Sequence, residues 1–152
     1  MQVYRISLEK WTNKLKASGN KARWSRQGSF VIYTASTRAL ACLENVVHRS
    51  DEGLQQLFKV MVIDIPDEVI IEEIYLEDLE KGWNKYNADS YEICQEVGEK
   101  WLAEKNCAVL KVPSSIILKE CNYLINVQHP DFSKIKLIEI EDFEFDLRIK
   151  SS

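Results

Sequence analysis

The chain has 152 residues, 45% hydrophobic and 10% aromatic, with only 5 Gly and 3 Pro. That length and apolar content suit one domain with a buried core and exclude disordered or collagen-like chains. The net charge of -4, from 20 basic and 24 acidic groups, excludes a uniformly basic protein built for nucleic acid.

Residues 2–7 (QVYRIS) alternate and predict a first strand, and residues 29–35 (SFVIYTA) read as a second after a polar, basic loop. Ser36 is the expected N-cap of a helix over 37–49, with Leu40, Leu43, Val46 and Val47 on one stripe. Glu44 follows Leu40 by four residues and so lies beside that stripe, where a carboxylate has to be paired or used. Residues 58–65 (FKVMVIDI), closed by Pro66, and 69–76 (VIIEEIYL) are the next strands. A second amphipathic helix is expected over 90–105, with Ile93, Val97, Trp101 and Leu102 facing inward. Short strands over 108–112, 115–119 and 123–126 follow, then 136–141 and 143–149. Strands outnumber helices without regular β-α-β alternation. The expected class is therefore α+β, one domain over 1–152 with a mixed, largely antiparallel sheet and a few helices.

Several chemistries are excluded. The cysteines at 42, 94, 107 and 121 form no C-x-x-C pair and have no His at ligand spacing, which argues against structural zinc. Glycines at 19, 28, 53, 82 and 98 are too scattered for a Rossmann fingerprint or a P-loop. A phosphorylated ligand would be held by side-chain cations instead. No apolar run approaches the roughly 18 residues of a membrane span, and the N-terminus does not resemble a signal peptide. A cytoplasmic protein with reduced thiols and no membrane partner is expected. No helix is patterned as a basic recognition element, so direct nucleic-acid binding is not expected.

Charge is unevenly divided. Residues 1–49 hold nine basic groups against two acidic ones, Glu9 and Glu44, whereas residues 50–152 hold 11 against 22. Either the first segment builds a cationic site, or the two segments neutralise each other on folding. Three stretches carry residue types suited to a site. In the first, Arg23 of Ala22-Arg23-Trp24-Ser25 precedes Tyr33 by ten residues, and Glu44 follows on the next helix. These types suit holding a phosphate, stacking on a ring and stabilising a developing cation, respectively. Each also has a bland use, as loop cation, core filler and helix pair. The second stretch is Val112-Pro113-Ser114-Ser115, where Ser114 either faces a site or makes a turn. The third runs from Glu120-Cys121-Asn122 to the HPDF turn at 129–132, where Asn122 either binds or caps.

The ordered set YR at 4–5, RW at 23–24, IYTA at 32–35, ALACLENVVH at 39–48, VPSS at 112–115, ECNYLIN at 120–126, HPDF at 129–132 and FEFDLRI at 143–149 resembles the RES domain family. The resemblance spans nearly the whole chain. It implies a toxin of a bacterial toxin–antitoxin pair with a fold related to ADP-ribosyltransferases. Such toxins deplete NAD+ by cleaving its nicotinamide–ribose bond, in some members by phosphorolysis. NAD+ is then a substrate, inorganic phosphate a possible co-substrate, and no cofactor is needed. The family's arginine, tyrosine, glutamate and serine fall on Arg23, Tyr33, Glu44 and Ser114, with Asn122 as a ligand-side or site-shaping residue. A cognate DNA-binding antitoxin and a homodimer are further implications. Two other functions stay open, an ADP-ribosyltransferase modifying a macromolecule and a catalytically silent RES-fold binding protein.

The chain departs from the family at three points. Members commonly have a glycine pair and an asparagine around this arginine, whereas here the run is Lys21-Ala22-Arg23-Trp24-Ser25, so a different loop path is expected. Val127 and Leu147 replace prolines.

Overall fold

The computed structural model describes residues 1–49, 56–146 and 148–149. Seven strands form one sheet: β1 (Gln2–Leu8), β2 (Val31–Ala35), β3 (Phe58–Asp64), β4 (Ile71–Glu73), β5 (Val109–Pro113), β6 (Cys121–Asn126) and β7 (Lys136–Phe143). Their order is β4-β5-β6-β2-β1-β3-β7. Every neighbouring pair is antiparallel except β4 and β5, which run parallel. With helices α1 (Arg38–His48) and α2 (Ala88–Glu104), this is the expected α+β class with a largely antiparallel sheet. Among the described residues no helix is long and apolar enough to cross a membrane.

Strand alternation assigns the two faces. Val3, Ile32, Met61, Ile63, Val109 and Ile125 pack into one core. On the opposite face, Ile6, Val60 and Val62 meet Leu40 and Ala41 of α1, while Val31, Leu110 and Leu124 meet Cys94 and Trp101 of α2. Both helices therefore lie over the same face, with a gap between their two cores. The sheet is weakest under that gap. β1 and β2 share a single registered pair, Tyr4 with Ala35, whereas β1 and β3 pair along all seven residues from Gln2 to Leu8. The splay between β1 and β2 opens a cleft beneath α1.

Four expectations are corrected. Thr37, not Ser36, caps α1: its hydroxyl accepts the Leu40 amide at 3.0 Å, while the Ser36 amide is drawn to the Cys121 carbonyl. Residues 115–119 make a turn instead of a strand, because the Ser114 hydroxyl accepts the amides of Ile116 and Ile117 and bends the chain. The strand expected over 69–76 shortens to β4. The strands expected over 136–141 and 143–149 become β7 alone, which ends at Phe143; residues 144–146 and 148–149 are not in a strand, and position 147 lies outside the described residues. Phe145 instead turns inward onto Phe58 and Phe143, with ring centroids 5.0 and 4.9 Å away.

Helix α2 starts earlier than expected, capped by Asn87, and ends at Lys105 in the left-handed region with φ of 54°. Trp101 of the expected stripe is buried and Ile93, Val97 and Leu102 pack against the same core, while Ser90, Cys94, Gln95 and Gly98 are buried beside them. Beside that stripe a small loop packs on Gly98. A methyl group there would sit 1.8 Å from the Trp24 carbonyl oxygen.

Candidate active site

The loop against Gly98 carries Arg23. Ala22 and Ser25 form an isolated antiparallel bridge, and the Ala22 amide donates to the Ser25 carbonyl at 2.9 Å, which places Arg23 and Trp24 at a tight tip. No residue from 21 to 25 needs a positive φ. Lys21 and Ala22 are thus compatible with this turn, and the missing glycine pair imposes no strain on it. Helix α2 fastens the tip. The Gln95 amide donates to the Ala22 carbonyl at 2.8 Å, and the Glu99 carboxylate accepts the Arg26 amide at 2.8 Å and the Ser29 hydroxyl at 2.7 Å.

The Arg23 guanidinium is itself tethered. It donates from Nη1 to the Trp83 carbonyl at 2.8 Å and from both Nη atoms to the Lys85 carbonyl at 3.2 Å. Its carbon lies 4.5 Å from the centroid of the Tyr91 ring. Burial pushes the Tyr91 phenol and the Cys94 thiol up, and the neighbouring Arg23 charge opposes both shifts.

Tyr33 comes from β2 and points its hydroxyl back into the protein. The hydroxyl accepts the Trp24 amide at 3.1 Å and shares a hydrogen with Ser25 Oγ at 2.9 Å. Burial pushes this phenol far above its ordinary titration range, so it is neutral. The hydroxyl positions the Arg23 tip; the ring remains to line the cleft.

Glu44 projects from α1, and β6 holds it. Its Oε1 accepts the Asn122 side-chain amide at 2.8 Å and lies 3.5 Å from the Ser114 hydroxyl, the outer limit of a hydrogen bond. Its Oε2 is 3.8 Å from His48 Nε2, one helical turn on. The Glu44 side chain stays 26% exposed, enough to meet a ligand. Asn122 Oδ1 is buried with no hydrogen-bond partner, an acceptor directed into the protein beside the carboxylate.

These groups surround one cavity of about 450 Å³. Arg23, Tyr33, Glu44 and Asn122 all line it. Ser114 does not: it is fully buried and meets the cavity through Glu44, while Ser115 takes the lining position. Arg5, Asn45, His48 and Tyr91 line the cavity as well, and sequence reasoning gave them no role. One of them was within reach, because His48 follows Glu44 by four residues on the same helical side. Burial pushes the Arg5 guanidinium below its ordinary value, and it donates to the Lys16 carbonyl at 3.2 Å. Tyr91 had no sequence signal, since only the packing of α2 against the Arg23 loop brings it here.

A half-buried carboxylate amid cationic and aromatic side chains suits a ligand that carries both phosphates and a developing positive centre. The family model of the RES domain matches residues 2–148. The chain belongs to the RES domain family. This RES domain is 38% identical over 129 residues to the "Prs ADP-ribosylating toxin" of Sphingobium, covering 84% of this chain and 79% of the relative. It is 30% identical to "Toxin Res" of Yersinia enterocolitica, covering 99% of this chain and all of the relative. A third relative, "Toxin Res" of Photorhabdus laumondii, is 32% identical over 155 residues. Among solved structures, the MbcT–MbcA toxin–antitoxin complex of M. tuberculosis superposes with a TM-score of 0.74 at 16% identity, covering 94% of this RES domain and 84% of that chain. At that identity the likeness speaks for the fold.

Proposed function

We propose that this RES domain is the toxin of a toxin–antitoxin pair and an enzyme that consumes NAD+ by cleaving the nicotinamide–ribose bond. The observation that carries the proposal is the Glu44 carboxylate, held by Asn122 in a cavity also lined by Arg5, Arg23 and Tyr33. When the bond from ribose C1′ to the nicotinamide nitrogen breaks, its electron pair neutralises the ring and leaves an oxocarbenium-like ribose. No strong general acid is required. Glu44 stabilises the cationic ribose, as a carboxylate does in glycoside hydrolysis. Arg23 and Arg5 supply positive potential for the diphosphate, and Tyr33 packs its ring against nicotinamide or ribose. Ser114 and Asn122 hold Glu44 in place.

Water attacking C1′ yields ADP-ribose and a proton; inorganic phosphate yields a phosphorylated ADP-ribose. A second reading, ADP-ribosyl transfer to a macromolecule, is favoured by the name of the Sphingobium relative. Mass spectrometry of the products from NAD+, with and without phosphate, separates these outcomes. Nicotinamide released in equal amount with a small ADP-ribose product supports depletion. Nicotinamide released together with a labelled protein supports transfer, and no nicotinamide release rejects both in favour of a silent binding protein. A DNA-binding antitoxin that covers the cavity is the proposed partner; adding it should block NAD+ consumption.

A further inference from the structure

We propose that Tyr86 and Tyr91 form the subsite for the adenine base of the dinucleotide, at the mouth of the cavity; the assignment rests on NAD+ being the substrate. Tyr91 lines the cavity from the first turn of α2. Tyr86 stands just before the cap of that helix, and its side chain is out in solvent, 86% exposed. Its position is nonetheless defined. The two ring centroids are 6.0 Å apart with planes at 79°, and the adjacent Lys85 carbonyl is bound by Arg23. Two rings at this angle form an open corner. A flat base stacked on one ring meets the edge of the other, and both contacts are favourable for aromatic quadrupoles.

Charge selects which end of the dinucleotide fits there. The nicotinamide ring is cationic, and the Arg23 guanidinium already covers Tyr91 at 4.5 Å, so a second cation is repelled from this corner. The nicotinamide belongs by Glu44, where the bond breaks. Adenine is the neutral, planar part that remains. The diphosphate then spans the interval between, past Arg23.

The test compares NAD+ with nicotinamide mononucleotide, which has the same scissile bond and no adenine. Because Tyr86 is exposed, Tyr86→Ala should fold normally. The ratio of kcat/KM for NAD+ to that for the mononucleotide should fall on the order of tenfold in Tyr86→Ala, through KM for NAD+, and should recover in Tyr86→Trp. An unchanged ratio, or an equal loss on both substrates, overturns the subsite. If the wild-type protein consumes neither substrate, the catalytic proposal fails and AMP binding decides the subsite by calorimetry. Weaker AMP binding by Tyr86→Ala supports it. Equal affinity in both proteins, or no AMP binding by the wild type, overturns it.

Discussion

At the scale of single residues, Glu44 and Ser114 divide tasks that the sequence placed side by side. Glu44 reaches the cavity, whereas Ser114 is fully buried and satisfies two loop amides. Replacing Glu44 by Gln preserves shape and removes charge. NAD+ consumption should fall about 10²-fold or more, because an electrostatic stabiliser of the transition state is lost, with little change in thermal unfolding. Ser114→Ala should act differently. It leaves the amides of Ile116 and Ile117 without their acceptor, so stability should drop by about 1–2 kcal/mol, readable in urea unfolding. Activity should fall less than in Glu44→Gln, since Asn122 still holds the carboxylate at 2.8 Å. A larger loss in Ser114→Ala than in Glu44→Gln would give the serine a direct part in the reaction.

At the scale of elements, α2 serves as the mount for the Arg23 loop. Its residues Tyr91, Gln95, Gly98 and Glu99 recur at helical spacing and touch, in turn, the guanidinium, the loop carbonyls, the loop backbone and the loop amide. Propensity alone would favour Gly98→Ala by about 1 kcal/mol. Packing reverses the sign, because the added carbon would lie 1.8 Å from the Trp24 carbonyl oxygen, a clash of two backbones with no flexible end to give way. The variant should be destabilised by about 1–3 kcal/mol, and NAD+ consumption should fall because Arg23 shifts with its loop. A stabilised variant with full activity would remove α2 from this role. The sequence showed α2 as an amphipathic helix with Ile93, Val97, Trp101 and Leu102 inward, and all four pack on the core; it did not show the loop held by Gln95, Gly98 and Glu99, because hydrophobic period does not register a polar contact.

At the scale of the whole molecule, the uneven charge has two fates. Arg26 pairs with Glu92 and Arg38 with Glu141, so part of the basic first segment is neutralised by the acidic remainder. Arg5 and Arg23 line the cavity instead, bonded to backbone carbonyls that leave their charge in place. Stability across the molecule should also respond to alkali through Tyr33. Burial pushes the folded-state phenol up, so the unfolded chain gives up that proton first. The associated stability is present below about pH 10 and is lost as pH climbs from there toward the folded value. The urea midpoint should decline above about pH 10, and less steeply in Tyr33→Phe. Tyr91 and Tyr123, also raised, add to the decline in the same sense.

The sequence by itself determined the α+β class, most strands, both helices and the family, because hydrophobic period and ordered short motifs are local properties of the chain. It also singled out Arg23, Tyr33, Glu44 and Asn122, which converge on one cavity. Tertiary structure alone decided where the cavity lies, since the cleft follows from β1 and β2 sharing one registered pair. It decided that Ser114 turns inward, that Arg23 is bonded to the carbonyls of Trp83 and Lys85, and that Tyr91 stands beneath it. Those contacts join residues some 60 positions apart, as Arg23 to Lys85 illustrates. A pairing across that separation is set by how sheet and helix pack, a constraint that no local pattern of residues encodes.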